Sequence, residues 1–139
     1  GWGASMIATE ISDIMFGTPV PIRARMDIGV LKEDEVNVTV HGHEPILAEA
    51  LAMAVRDPEI IEACKKVGAK GVNLAGMCCT GNEILMRRGF PIAGSFIQQE
   101  VVLATGAVEV MVVDVQCIMQ GVSKAAELSH TELITTSSK

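Results

Sequence analysis

The sequence predicts an α/β domain, a parallel sheet flanked by helices, and three observations carry that prediction. Short β-branched or apolar runs alternate with stretches of helical periodicity along the chain. The run "VEVMVVDV" (108–115) is nearly unbroken in apolar character, as a strand buried on both faces requires. The connections between the runs are long enough to hold crossover helices rather than hairpin turns.

In chain order, residues 4–16 read as a helix, and "GTPVP" (17–21) stops it and forms a loop. "VNVTV" (36–40) is the first strand, ending at His41-Gly42-His43. Pro45 fits the first position of a helix whose predicted apolar stripe is Ile46, Leu47, Ala50, Leu51 and Ala54. Asp57-Pro58 is an N-cap and N1 pair that restarts helix, with Ile60, Cys64 and Val67 on one face. "GVNLAG" (71–76) is the second strand. Thr80-Gly81-Asn82-Glu83 matches a capping box opening a helix to about Arg88. Residues 96–104 and 122–128 are further helices, 108–115 the third strand and "LITTS" (133–137) the fourth.

Ligands of such sheets gather beyond the carboxyl ends of the strands. The residues leaving the first three predicted strands are His41 and His43, then Cys78 and Cys79, then Cys117. Of the conspicuous metal-capable side chains only Cys64 and His130 lie elsewhere. Cys64 reads as a packed thiol and His130 as a solvated or capping residue. Cys79 stands next to a predicted helix start, where backbone N–H groups and the helix dipole favour a thiolate. Cys78 points the other way on an extended backbone, which suits packing or a role behind the ligands. His41 and His43 share strand spacing, and Glu44 and Asp114 stand where they could orient an imidazole. No C-x-x-C and no G-x-G-x-x-G after a strand is present, so neither a zinc ribbon nor a dinucleotide fingerprint is supported. The residues alone therefore reach an α/β domain with a His/Cys/Cys metal edge. A non-catalytic zinc or iron module, or a domain with no ligand, would fit the same pattern.

Composition sets the surroundings. Net charge is −6, aromatics are 3% of the chain, and no basic stripe runs along it, which argues against nucleic acid. No apolar run reaches membrane-span length. Mean hydropathy is +0.37, high for a free domain, and predicts surfaces covered by neighbours or self-association. Four cysteines without a secretory signal pattern suit a reducing, cytoplasmic compartment.

Four stretches resemble the catalytic subunit of the nickel-iron anaerobic carbon monoxide dehydrogenases: "GWGASMIATEISDIMFGTP" (1–19), "HGHEP" (41–45), "GMCCTGNEILMRRG" (76–89) and "TGAVEVMVVDVQCIM" (105–119). The resemblance covers essentially the whole chain. It implies a Rossmann-like three-layer domain over 1–139, with an N-terminal helix and loop (1–35) ahead of the βα units (36–139), taken from the middle of a longer subunit. It implies three ligands to a Ni-Fe-S cluster. His43 and Cys79 would share a pendant iron, and Cys117 would hold an iron of the cubane portion, with His41 and Cys78 behind them. The implied reaction converts CO and water to CO2, two protons and two electrons, reversibly, in a homodimer with 4Fe-4S relay clusters and an electron carrier such as a ferredoxin. The remaining cluster ligands and the catalytic lysine would lie outside these 139 residues. The resemblance therefore implies a fragment without turnover of its own.

Overall fold

A computed structural model describes residues 1–136. It contains an all-parallel sheet with helices on both faces, as the alternating pattern predicted, but of five strands where four were expected. The elements are α1 (Trp2–Phe16), β1 (Val36–His41), α2 (Pro45–Ala54), α3 (Pro58–Lys66), β2 (Val72–Met77), α4 (Cys78–Arg88), β3 (Ile92–Gly94), α5 (Gln99–Ala104), β4 (Val110–Val113), α6 (Val122–Glu127) and β5 (Glu132–Thr135). Single 3-10 turns at Ile28–Val30 and Phe96–Gln98 precede β1 and α5. The predicted fourth strand is β5, and its expected last residue, Ser137, lies outside the described residues.

Strand order is β3-β2-β1-β4-β5. The chain therefore builds outward from β1 in one direction through β2 and β3, and in the other through β4 and β5. The seam between β1 and β4, with Val38 opposite Val110 and His41 opposite Val113, is the topological switch point where such sheets open a cleft. Alternate strand residues feed two cores. Val40 and Leu74 pack with Ala48 and Ala52 of α2 and Ile84 of α4 on one face. Ala75, Met77, Met111 and Val113 pack with Val102, Leu103, Val122 and Ala126 of α5 and α6 on the other.

Three local predictions are corrected. The buried face of α2 is Ala48, Glu49 and Ala52, while Ile46 and Ala50 of the predicted stripe are exposed. Glu49 is buried because Arg88 of α4 reaches it, Nε to Oε2 at 2.7 Å. On α3 only Cys64 is buried, and Ile60 and Val67 face outward, although Asp57 caps the helix as predicted by accepting from the Glu59 N–H at 2.8 Å. The capping box fails as well. Helix α4 begins three residues earlier, at Cys78 with Met77 in the N-cap place of Thr80, and has no side-chain cap.

Much of the chain's excess apolar surface resides in α1, which has no buried residue; Trp2 and Ile14 are each more than four-fifths exposed. Arg87 of α4 tethers this helix, donating from Nη2 to Asp13 at 3.1 Å and from Nε to the Gly17 carbonyl at 2.7 Å, while Nη1 pairs with Glu83. No described helix is long and apolar enough to cross a membrane.

Candidate metal centre

Three loops leave the carboxyl edge of the sheet beside the switch point, and each brings one predicted donor. The first follows β1. His41 ends the strand, and Gly42 turns the chain at φ 117°, a region closed to most residues with a Cβ. Buried Asp114, the first residue beyond β4, fills the space this glycine leaves. Its Oδ1 accepts from the His43 N–H at 2.8 Å and its Oδ2 from the Glu44 N–H at 2.7 Å. A Cβ on Gly42 would lie 1.5 Å from Asp114 Oδ1. Asp114 was predicted to orient an imidazole; it grips the backbone of the histidine loop instead. Glu44 likewise contributes backbone rather than carboxylate: it is the N-cap residue of α2 with no side-chain cap bond.

The second loop is the join of β2 and α4, where Cys78 takes φ 57°. Cys78 is buried against α5 and Cys79 is exposed, so the two thiols diverge as predicted. The first turn of α4 also fastens the histidine loop. The Thr80 N–H donates to the Gly42 carbonyl at 3.0 Å, and Thr80 Oγ1 donates to the Glu44 carbonyl at 3.2 Å. That is why Thr80 does not cap: its hydroxyl is used across the sheet edge. Gly76 and Gly81 let α4 sit directly on β2, since a Cβ on Gly76 would lie 2.3 Å from the Gly81 Cα.

The third loop follows β4. Gln116 and Cys117 are consecutive residues at positive φ, 63° and 46°, and the loop carries Cys117 Sγ to 3.6 Å from His43 Nε2. A cavity of about 800 Å³ lined by Asp114, Cys117, Met119 and Val122 among others opens beside it.

The electrostatics separate the two histidines. His41 is fully buried, with Nε2 3.0 Å from Thr39 Oγ1, and burial pushes its pKa down to about 3, so its ring is neutral. Its environment is the sheet interior, not the edge, and the shared facing expected of the pair is broken by the turn at Gly42. His43 is half-buried, and its Nδ1 is enclosed with no hydrogen-bond partner. The thiols do not match the prediction of a favoured thiolate. Burial, then the charges of Cys117 and Glu83, push Cys79 up; burial chiefly pushes Cys78 up, against a lowering hydrogen bond from Gln99. The helix start pulls the other way, but two thiols within reach of each other's charge resist ionising together.

A metal reverses that balance, because a cation converts mutual repulsion of thiolates into shared attraction. Two thiols and an imidazole nitrogen on one sheet edge are donor types compatible with the nickel-iron-sulfur group that the resemblance implies, and equally with zinc or iron. Among the described residues no three His, Cys, Asp or Glu side chains close on a single point. Cys64 is buried on α3, and His130 is exposed at the opposite edge, 3.6 Å from Glu109. The prediction for both stands. Sequence reasoning missed Gln99, whose place in a mostly apolar helix carried no signal, and the role of Gly42, which "HGH" could have suggested.

The sequence model of the Prismane/CO dehydrogenase family matches residues 1–139. The chain is 58% identical over 139 residues to carbon monoxide dehydrogenase 1 of Methanosarcina mazei, covering 100% of this chain and 22% of that protein. It is 52% identical over 130 residues to the carbon monoxide dehydrogenase/acetyl-CoA synthase subunit beta of Moorella thermoacetica, covering 94% of this chain and 19% of the relative. A crystal structure of as-isolated, nickel-free carbon monoxide dehydrogenase from Thermococcus sp. AM4 superposes with a TM-score of 0.93 at 56% identity, covering 100% of this chain and 22% of that one. The chain thus spans about a fifth of the length of the relatives it matches.

Proposed function

The chain belongs to the Prismane/CO dehydrogenase family, and from that premise we propose that its residues form the part of a nickel-containing carbon monoxide dehydrogenase that supplies His43, Cys79 and Cys117 to the Ni-Fe-S cluster. When bound, the cluster supplies the reversible two-electron oxidation of CO with water to CO2 and two protons. The observation that carries the assignment is the meeting of two loops at the switch point, with His43 Nε2 3.6 Å from Cys117 Sγ and the Cys79 thiol close enough to feel the Cys117 charge.

The chain's own residues bind and orient. His43 offers Nε2 from a loop fixed by Asp114 through two backbone amides. Cys79 and Cys117 offer thiolates, each losing its proton as it takes a metal. His41, neutral and buried in the sheet beside Thr39, is a packed residue rather than a donor. Cys78, buried and hydrogen-bonded, packs behind Cys79. Three donors from one edge leave the rest of a cluster's ligands to other polypeptide, so these 139 residues alone do not turn over CO. The complete protein works as a homodimer with 4Fe-4S relays and a ferredoxin-type acceptor in the cytoplasm.

A segment swap tests this. Replacing the matching fifth of a full-length relative with this chain preserves CO-dependent dye reduction and nickel and iron content, whereas the same chimera with Cys79→Ser, Cys117→Ser or His43→Ala loses both. Unchanged metal content in those variants overturns the ligand assignment. CO-dependent dye reduction by the isolated chain, after anaerobic reconstitution with iron, sulfide and nickel, overturns the claim of incompleteness.

A further inference from the structure

Gln99 is the first residue of α5 and has no exposed surface, an unfavourable place for an amide unless each of its polar atoms is paired. None of the hydrogen bonds that pair it is to its own helix. Nε2 donates to the Cys117 carbonyl at 2.5 Å and to Cys78 Sγ at 2.9 Å, and Oε1 accepts from the Met119 N–H at 3.0 Å. The opposite amide orientation would set oxygen against the Cys117 carbonyl and NH2 against the Met119 N–H, so the network admits one. The two backbone bonds bracket the end of the segment in which Gln116 and Cys117 hold positive φ, a conformation that residues with a Cβ leave readily when nothing holds them.

We propose that Gln99 is the positioning residue of the metal centre: its amide clamps the Cys117 loop in the shape that aims Sγ at His43, and ties that loop to Cys78, the neighbour of Cys79. The donors after β2 and β4 are thereby held as one piece. The proposal rests on the reading of Cys79 and Cys117 as ligands given above.

The test uses the full chain carrying Gln99→Met, which keeps side-chain length and removes all three hydrogen bonds. Residue-resolved amide exchange, anaerobic iodoacetamide labelling of individual cysteines and a Cd2+ titration followed by thiolate-to-cadmium absorption are read together. Met119 exchange and labelling of Cys78, buried in the wild type and bonded by Gln99, rise on the order of tenfold, and Cd2+ affinity falls by a similar factor. Exchange at Leu74 and Val112 and labelling of Cys64 stay as in the wild type, which marks the effect as one of position and not of folding. Unchanged Met119 exchange and Cys78 labelling overturn the proposal. If Leu74 also loses protection, Gln99→Asn, one methylene short of both partners, is read for the same selective changes, and their absence there overturns it too. A wild-type chain whose Cd2+ signal does not depend on Cys117 overturns the metal reading instead, and exchange and labelling still decide the clamp.

Discussion

The two edges of the sheet both bury polar side chains but use them in opposite ways. At the amino edge Asn37 and Asn73 form a closed amide network. Asn37 Oδ1 accepts from the Lys32 N–H at 2.9 Å and from Asn73 Nδ2 at 2.8 Å, Asn37 Nδ2 donates to the Lys32 carbonyl at 2.8 Å, and Asn73 Nδ2 also reaches the Val30 carbonyl at 2.9 Å. Glu109 accepts from the Asn37 N–H at 2.6 Å. The network ties the segment before β1 to the strand ends. At the carboxyl edge Asp114, Thr80 and Gln99 also pair fully, but what they hold is backbone in unfavourable shapes. Among the described residues, those other than glycine at positive φ are Cys78, Gln116 and Cys117, all at this edge. Among the side chains left without firm partners there are the exposed thiols of Cys79 and Cys117 and the imidazole of His43. One end spends its hydrogen bonds on folding and the other on presentation.

The sharpest way to break this contrast is Gly42→Ala. The new Cβ meets a carboxylate that is itself buried and holding two amides, at a φ that disfavours any side chain. A loss of about 3 kcal/mol or more in urea unfolding is expected, with faster exchange of the His43 and Glu44 amides as the loop detaches. A stability near wild type would show that Asp114 is not the wedge described. Asn37→Ala comes next: it strands the Lys32 amide and carbonyl and one Asn73 donor, at a cost of about 2–3 kcal/mol, and leaves Cys117 labelling unchanged. Altered labelling there would mean that the two edges are coupled and the contrast false. The third expectation is an acid-side loss of about 2 kcal/mol between pH 7 and pH 5 in the metal-free chain. The unfolded chain takes up a proton on His41 near pH 6.5, the folded chain only near 3. The unfolded state therefore binds more protons as pH falls through that window, and stability falls with it, levelling below 3. A flat profile from pH 7 to 5 would show that water reaches the ring under the histidine loop.

Most of the architecture was legible because β1, β2 and β4 are written as apolar runs and Asp57-Pro58 and Gly89 punctuate helices by local chemistry. β3 was missed: three residues between Pro91 and Ser95 are too short to show a period, and the strand exists because Met77 and Gly94 pair across the sheet. The face of α2 was misread because what turns it is a partner 39 positions away, Arg88 on Glu49. Placing donors on one edge needed strand order and residue type only. Their support did not show, because Thr80 resembles a cap and Gln99 a surface residue until the chain has folded around them.

The seam between β1 and β4 also orders events in time. His43 and Cys117 stand 74 positions apart, and their strands become neighbours with the whole β2-α4-β3-α5 excursion already accommodated on the other side of β1. A nascent chain ending between Cys79 and Val110 carries His43 and both vicinal cysteines but has no strand to bring the third loop alongside. Closing so long an excursion is an entropic step that local contacts do not reward. In this topology the approach of His43 to Cys117, and with it the proposed donor set, is a product of the finished sheet rather than a nucleus for it.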